Sequence, residues 1–159
     1  MPDPTRTLLG LDFGVRCIGV ALGNTLTHRA RALTIIDTVV VAERFAALAA
    51  LIQQWQPDAL VVGRPLSEDG APTPTTARAD RFANQLRGRF GLPVLSVDER
   101  FSSREAQAII ASGPRRRAGE PAGDDALAAA VILQQALDAD PQGLAALFEV
   151  RRKPLPSGD

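Results

Sequence analysis

The chain has 159 residues, 45% of them hydrophobic and 23% charged, with a formal net charge of zero. That is one ordinary domain of globular composition, which excludes wholesale disorder and weakens any case for indiscriminate polyanion binding. No apolar run reaches the roughly 18 residues needed to span a bilayer. Residues 1–6 show no basic segment leading into an apolar one, so a cytoplasmic protein without a membrane partner is expected. Cys17 is the single cysteine, which rules out an internal disulfide or a multi-cysteine metal site.

Thr7 to Phe13 reads as a buried strand, Gly14-Val15-Arg16 as a tight turn, and Cys17 to Leu22 as a second strand; two strands so close must form an antiparallel hairpin. A third strand is expected over Ala30 to Ile36. Phe45, Leu48, Ile52 and Trp55 recur at helical spacing, and Pro57 ends that helix. Ala59 to Gly63 is a short apolar run of the buried parallel kind. Beyond a loop rich in Pro, Gly and Ser, Phe82, Leu86 and Phe90 mark a second helix, with Thr75 or Thr76 as its N-cap and Gly91 past its end. A strand over 93–98 follows. Ser102-Ser103-Arg104-Glu105 then opens a short helix as a capping box. Residues 114–123 read as a mobile basic loop, and Asp124 caps a last major helix carried by Leu127, Val131, Gln134 and Leu137 and stopped near Pro141. Residues 1–150 are expected to form a single domain and 151–159 a disordered tail.

This order predicts an α/β fold. A five-stranded mixed sheet has an antiparallel hairpin at one edge, three central parallel strands beginning at Thr7, Ala59 and Pro93, and flanking helices. Parallel strands bring their C-terminal ends to one side, where open α/β sheets bind ligands. Asp12 ends the first strand, Glu99 follows the last, and Asp125 opens the late helix. If they meet, three carboxylates repel one another, and the natural occupant between them is a hard divalent cation, Mg²⁺ or Mn²⁺. Such a centre suits phosphate-ester chemistry. Asp98 points away from Glu99 if strand alternation continues, so only one of the two reaches the site, and Glu99 is preferred.

Leu9-Gly10-Leu11-Asp12-Phe13-Gly14, Ile18-Gly19-Val20-Ala21, Val61-Val62-Gly63-Arg64-Pro65, Asp98 to Ala106 and Asp125 to Gln134 together resemble the YqgF family of pre-16S rRNA nucleases, also described as Holliday junction resolvase-like proteins. The resemblance spans roughly residues 7 to 138 and implies an RNase H-like fold. It further implies a metal-dependent nuclease acting on structured nucleic acid, with processing of the 5′ end of pre-16S rRNA favoured over four-way DNA junctions. Carried over, the acidic triad falls on Asp12, Glu99 and Asp125, as catalytic residues and metal ligands. Cys17 stands where many members have a basic residue, and Arg16 is the available substitute for a phosphate contact. Gly-x-Asp-x-Gly is shared with actin-like ATPases and sugar kinases, but such an enzyme needs a second phosphate motif and a larger chain.

Residues 81–159 carry eleven of the eighteen basic residues. Arg64 follows a central strand and suits either a plain turn or a phosphate contact. Arg100 and Arg104 suit either pairing with acidic neighbours or substrate contact. Arg115, Arg116 and Arg117 beside Asp125 are candidates for holding a nucleic-acid backbone. Pre-rRNA or branched DNA is the expected partner, for a monomer or homodimer, with a noncatalytic nucleic-acid-binding module as the competing class. Trp55 reads as core.

Overall fold

The computed structural model describes residues 5–67, 69–98 and 124–139. Their elements run β1 (Thr7–Phe13), β2 (Ile18–Asn24), β3 (Ala30–Ile36), α1 (Val41–Trp55), β4 (Ala59–Arg64), α2 (Pro74–Phe90), β5 (Val94–Asp98) and α3 (Asp124–Ala139). The five strands form one sheet in the order β3-β2-β1-β4-β5, antiparallel from β3 to β1 and parallel from β1 to β5. This is the expected mixed sheet with one adjustment. The crossover through α2 lays β5 beside β4 at the end of the strand order, so the parallel strands run from the centre to an edge rather than filling the centre.

Strand alternation divides the apolar residues into two cores. On one face Leu9, Leu11, Ile18, Val20, Leu60, Val62 and Val94 pack with Phe45 and Leu48 of α1 and Phe82 and Leu86 of α2. On the other, Leu8, Ala21, Ala30, Ala59 and Val61 pack with Ala129, Ala130, Leu133 and Leu137 of α3. Each completely buried leucine contributes about 1.5–3 kcal/mol relative to exposure. Trp55, expected in the core, is only partly buried, with the Arg31 guanidinium 5.7 Å from its ring centroid.

Helix α2 starts earlier than Thr75 or Thr76. Thr73 is its N-cap, because Pro74 fits the first helical position, where its missing N–H costs nothing. Thr73 and Thr76 form the reciprocal capping box, each side-chain oxygen accepting the other's backbone N–H, at 3.2 and 2.9 Å. The buried Thr76 hydroxyl also donates to the Pro65 carbonyl, tying the start of α2 to the end of β4. Gly91 closes the helix in the left-handed region at φ 65°. The expected helix opening at Ser102 lies outside the described residues. Among those described, no helix is long and apolar enough to cross a membrane.

Candidate functional site

Asp12 is the last but one residue of β1, partly buried, on the sheet rim where the three parallel strands end. Alternation along β1 puts Leu8, Gly10 and Asp12 on the α3 face. Gly19 pairs with Asp12 from β2. On the other side, the register Leu11 to Val62 brings Gly63 of β4 alongside it. Asp12 is therefore flanked within its row by two residues that have no side chain.

Helix α3 crosses this face at close range. A Cβ on Gly10 would lie 2.7 Å from the Leu133 Cβ and 3.0 Å from the Ala129 carbonyl oxygen, and one on Gly23 would lie 3.1 Å from Leu133 Cδ2. The buried Gln134 amide then anchors the helix to the start of β3. Its Oε1 accepts from the Ala30 N–H at 2.8 Å, and its Nε2 donates to the His28 carbonyl at 2.7 Å and to Asp138 at 3.1 Å. Gly23 and Ala30 are paired, and Gly23 pairs with Leu8, so moving forward along α3 leads toward the start of β1. The helix thus runs antiparallel to β1, and its first turn, with the backbone of Asp124 and Asp125, reaches the rim that holds Asp12. About 6 Å of helix separates residue 125 from residue 129, and two strand residues separate Gly10 from Asp12 by a similar distance.

The rim suits a hard divalent cation in donor chemistry, since Asp12 offers carboxylate oxygens with glycine on both sides. Among the described residues no group of three ligating side chains occurs. Glu99 lies outside them, and of Asp125 only the backbone position is described.

Asp98 and Arg64 belong to the other face. Val97 and Leu95 pack against the α3 core, which puts Val94, Ser96 and Asp98 on the α1/α2 side. Arg64 is paired on that face: its Nε and NH2 donate to the two carboxylate oxygens of Asp80 on α2, at 2.9 and 3.1 Å. That hydrogen bond and the Asp80 charge raise the guanidinium's pKa above its ordinary value; desolvation lowers it, and the charge of Asp98 adds a further rise. The reason is register, because alternation along β4 turns Arg64 toward α2. Arg16 is exposed at the tip of the β1–β2 turn, on the rim of Asp12. Arg100, Arg104, Arg115, Arg116 and Arg117 lie outside the described residues.

One residue beside the site was missed by pattern reading. Arg44 of α1 is buried, with 7% of its surface exposed. Its Nε donates to the Thr38 carbonyl at 2.6 Å and its NH2 to the Val15 carbonyl at 2.8 Å. The available signal was its spacing, four residues before Leu48 on the apolar stripe of α1.

Residues 6–139 match the family described as RuvX, Holliday junction resolvase. The chain belongs to the RuvX family. It is 55% identical over 138 residues to a Bordetella petrii protein named "Putative pre-16S rRNA nuclease", covering 87% of this chain and 99% of that one. A Burkholderia thailandensis protein of the same name is 56% identical over 135 residues, covering 85% and 90%. Among solved structures, Thermus thermophilus RuvC aligns with a TM-score of 0.50 at 16% identity, over 82% of this chain and 93% of that one. That likeness concerns the fold, and it agrees with the RNase H-like sheet described above. For a RuvX-family chain, the α3 crossing gives physical content to two separated sequence motifs, Gly10-Leu11-Asp12 and Asp125 to Gln134, which meet in space.

Proposed function

We propose that this RuvX-family protein is a divalent-metal-dependent nuclease that hydrolyses phosphodiester bonds in structured nucleic acid, with the 5′ end of pre-16S rRNA as its substrate. The observation that supports it best is the antiparallel crossing of α3 over Gly10, which carries the first turn of the helix to the rim of Asp12. Relatives that share more than half their residues with this chain, and are named for pre-16S rRNA, favour that substrate. Asp12, Glu99 and Asp125 would hold Mg²⁺ or Mn²⁺. Asp125 is preferred over Asp124 because the helical period puts position 125 on the line of positions 129 and 133, which lie over Gly10. Glu99 is preferred over Asp98 because Asp98 faces α2. A cation bound among these carboxylates would polarise the scissile phosphate and make water nucleophilic near neutral pH. The protein's own work is then to hold three carboxylates against their mutual repulsion, to keep bulk away through Gly19 and Gly63, and to steer phosphates with arginines. Arg16, Arg100, Arg104 and Arg115 to Arg117 are the candidates for that steering, in a cytoplasmic enzyme acting as monomer or homodimer.

Labelled precursor RNA and a four-way DNA junction, each incubated with and without Mn²⁺, test the reading. Cleavage of the RNA should require Mn²⁺ or Mg²⁺ and vanish in Asp12→Asn, with binding largely retained. Preferential cutting of the junction would move the substrate to DNA, and wild-type cleavage by Asp12→Asn, free of contaminating nuclease, would sink the site. Thermal unfolding gives a readout without turnover. Metal at a hundred times its dissociation constant should stabilise the wild type by roughly 2.7 kcal/mol. Metal-free Asp12→Asn should melt at or above the wild type, since one repelling charge is gone, and its metal-induced rise should shrink.

A further inference from the structure

Arg44 is a buried cation that pairs with no carboxylate among the described residues. The neighbouring Glu43 carboxylate instead accepts from the Thr38 hydroxyl at 2.7 Å. Burying a guanidinium without an ionic partner is unfavourable, and a neutral or apolar residue would fill the same stripe of α1 more cheaply. What the guanidinium adds is its rigid fork, which donates in two directions at once. One arm holds the Thr38 carbonyl at the approach to α1; the other holds the Val15 carbonyl in the β1–β2 turn. Its central carbon also lies 5.6 Å from the ring centroid of Phe13, the residue next to Asp12.

Gly14 N–H donates to the Cys17 carbonyl at 3.0 Å, and that oxygen comes so close that a Cβ on Gly14 would sit 2.7 Å from it. Val15 is 66% exposed and Arg16 is exposed, so the tip projects into solvent beside Asp12 with no apolar anchor of its own. Arg44 reaches it from beneath. We propose that Arg44 is a positioning residue of the nucleic-acid site: it pins the β1–β2 turn and thereby presents Arg16 to the phosphate backbone next to Asp12. Arg44 does not touch the substrate. This rests on the nuclease reading, and it adds a residue that acts only through Arg16.

The salt dependence of binding separates this role from a merely structural one. Binding of a labelled precursor RNA fragment is measured across a salt series in the Asp12→Asn background, where no turnover interferes. Arg16→Ala should reduce the log-log slope by about 0.7–0.9, the loss of one phosphate contact. Arg44→Gln should produce much the same loss with Arg16 intact, and adding Arg16→Ala to it should produce no further loss. Melting curves establish that each variant is folded at the assay temperature. Should Arg44→Gln not fold, Arg44→Lys serves, because a single ammonium keeps the charge but cannot span both carbonyls; the Arg16 step should shrink there too. A full Arg16 step in either Arg44 background would overturn the proposal, as would an Arg16→Ala slope unchanged beside native Arg44. In the latter case, cleavage that still depends on Asp12 would leave the nuclease reading standing; loss of that dependence would end both.

Discussion

The two faces of the sheet are built to different rules. Toward α1 and α2 the filling is large and aromatic: Phe13 stacks on Phe82 at 4.8 Å between ring centroids, and Phe45 lies 6.1 Å from Phe82 and 6.3 Å from Phe90. Toward α3 the filling has no aromatic ring and is rich in alanine beside Leu8, Val61, Leu133 and Leu137, and the helix comes so near that Gly10 has no room for a methyl group. Large side chains set helices at a distance and supply most of the buried apolar area. Small ones let backbones touch, which fixes the helix within narrow limits. On the proposed reading, a metal centre shared between a strand and a helix would need its carboxylates placed to about half an ångström, and the thin face would supply that tolerance. The thick face is then mainly a source of stability, and substitutions on the two faces should separate stability from site geometry.

The largest effect is expected on the thick face. Phe82 is buried and in ring contact with both Phe13 and Phe45. Phe82→Ala should destabilise the protein by about 3–5 kcal/mol in urea unfolding, through lost transfer energy and the cavity left behind. Protein that remains folded should bind Mn²⁺ with near wild-type affinity, because α3 and Asp12 lie across the sheet. Loss of metal affinity in the folded fraction would show that the faces are not independent.

A smaller loss of stability with a larger loss of function is expected from Gly10→Ala. The new methyl group would press on Leu133 Cβ and the Ala129 carbonyl, both parts of the helix that cannot rotate away. The helix must shift by several tenths of an ångström, at about 1–3 kcal/mol for overpacking. Metal affinity, measured by titration, should fall by more than in Phe82→Ala even though the protein is less damaged. Gly88→Ala on α2 is the matched control. A Cβ there meets nothing within 4 Å, so it should stabilise the helix by about 0.5–1 kcal/mol and leave the site alone. Wild-type metal affinity in Gly10→Ala would show that the close approach serves packing only.

These differences explain what sequence could and could not convey. The strands were legible because apolar runs between turn residues are a local signal, and the place of Asp12 near the end of one was legible with them. Alternation along β5 turns Asp98 toward α2, while Glu99 lies outside the described residues. The edge position of β5 was not legible, because strand neighbours are set by which side a crossover falls. The ion pair of Arg64 was not legible for a related reason: its partner Asp80 is sixteen residues away on another element, and only the register of β4 brings them together. Arg44 was hidden because its partners are carbonyls, and a carbonyl leaves no mark on a sequence. The close seat of α3 was written only as glycine and alanine, which suggest permissiveness where the structure uses them for contact.

Arg64 supplies the smallest expected effect and the finest test of the division between faces. Its guanidinium is engaged by both oxygens of Asp80 at the solvent-facing margin of the thick face. An exposed pair of this kind adds little to stability, and salt screens it further. Arg64→Ala should therefore leave the melting temperature within experimental scatter. If substrate stays on the α3 side of the rim, the salt dependence of RNA binding should also stay at the wild-type slope, in contrast to Arg16→Ala. A slope reduced by about 0.7–0.9 would mean that a phosphate competes with Asp80 for Arg64. The nucleic acid would then wrap over the rim onto the face of α2, and Asp80→Asn, which frees the arginine, should bind more tightly than the wild type.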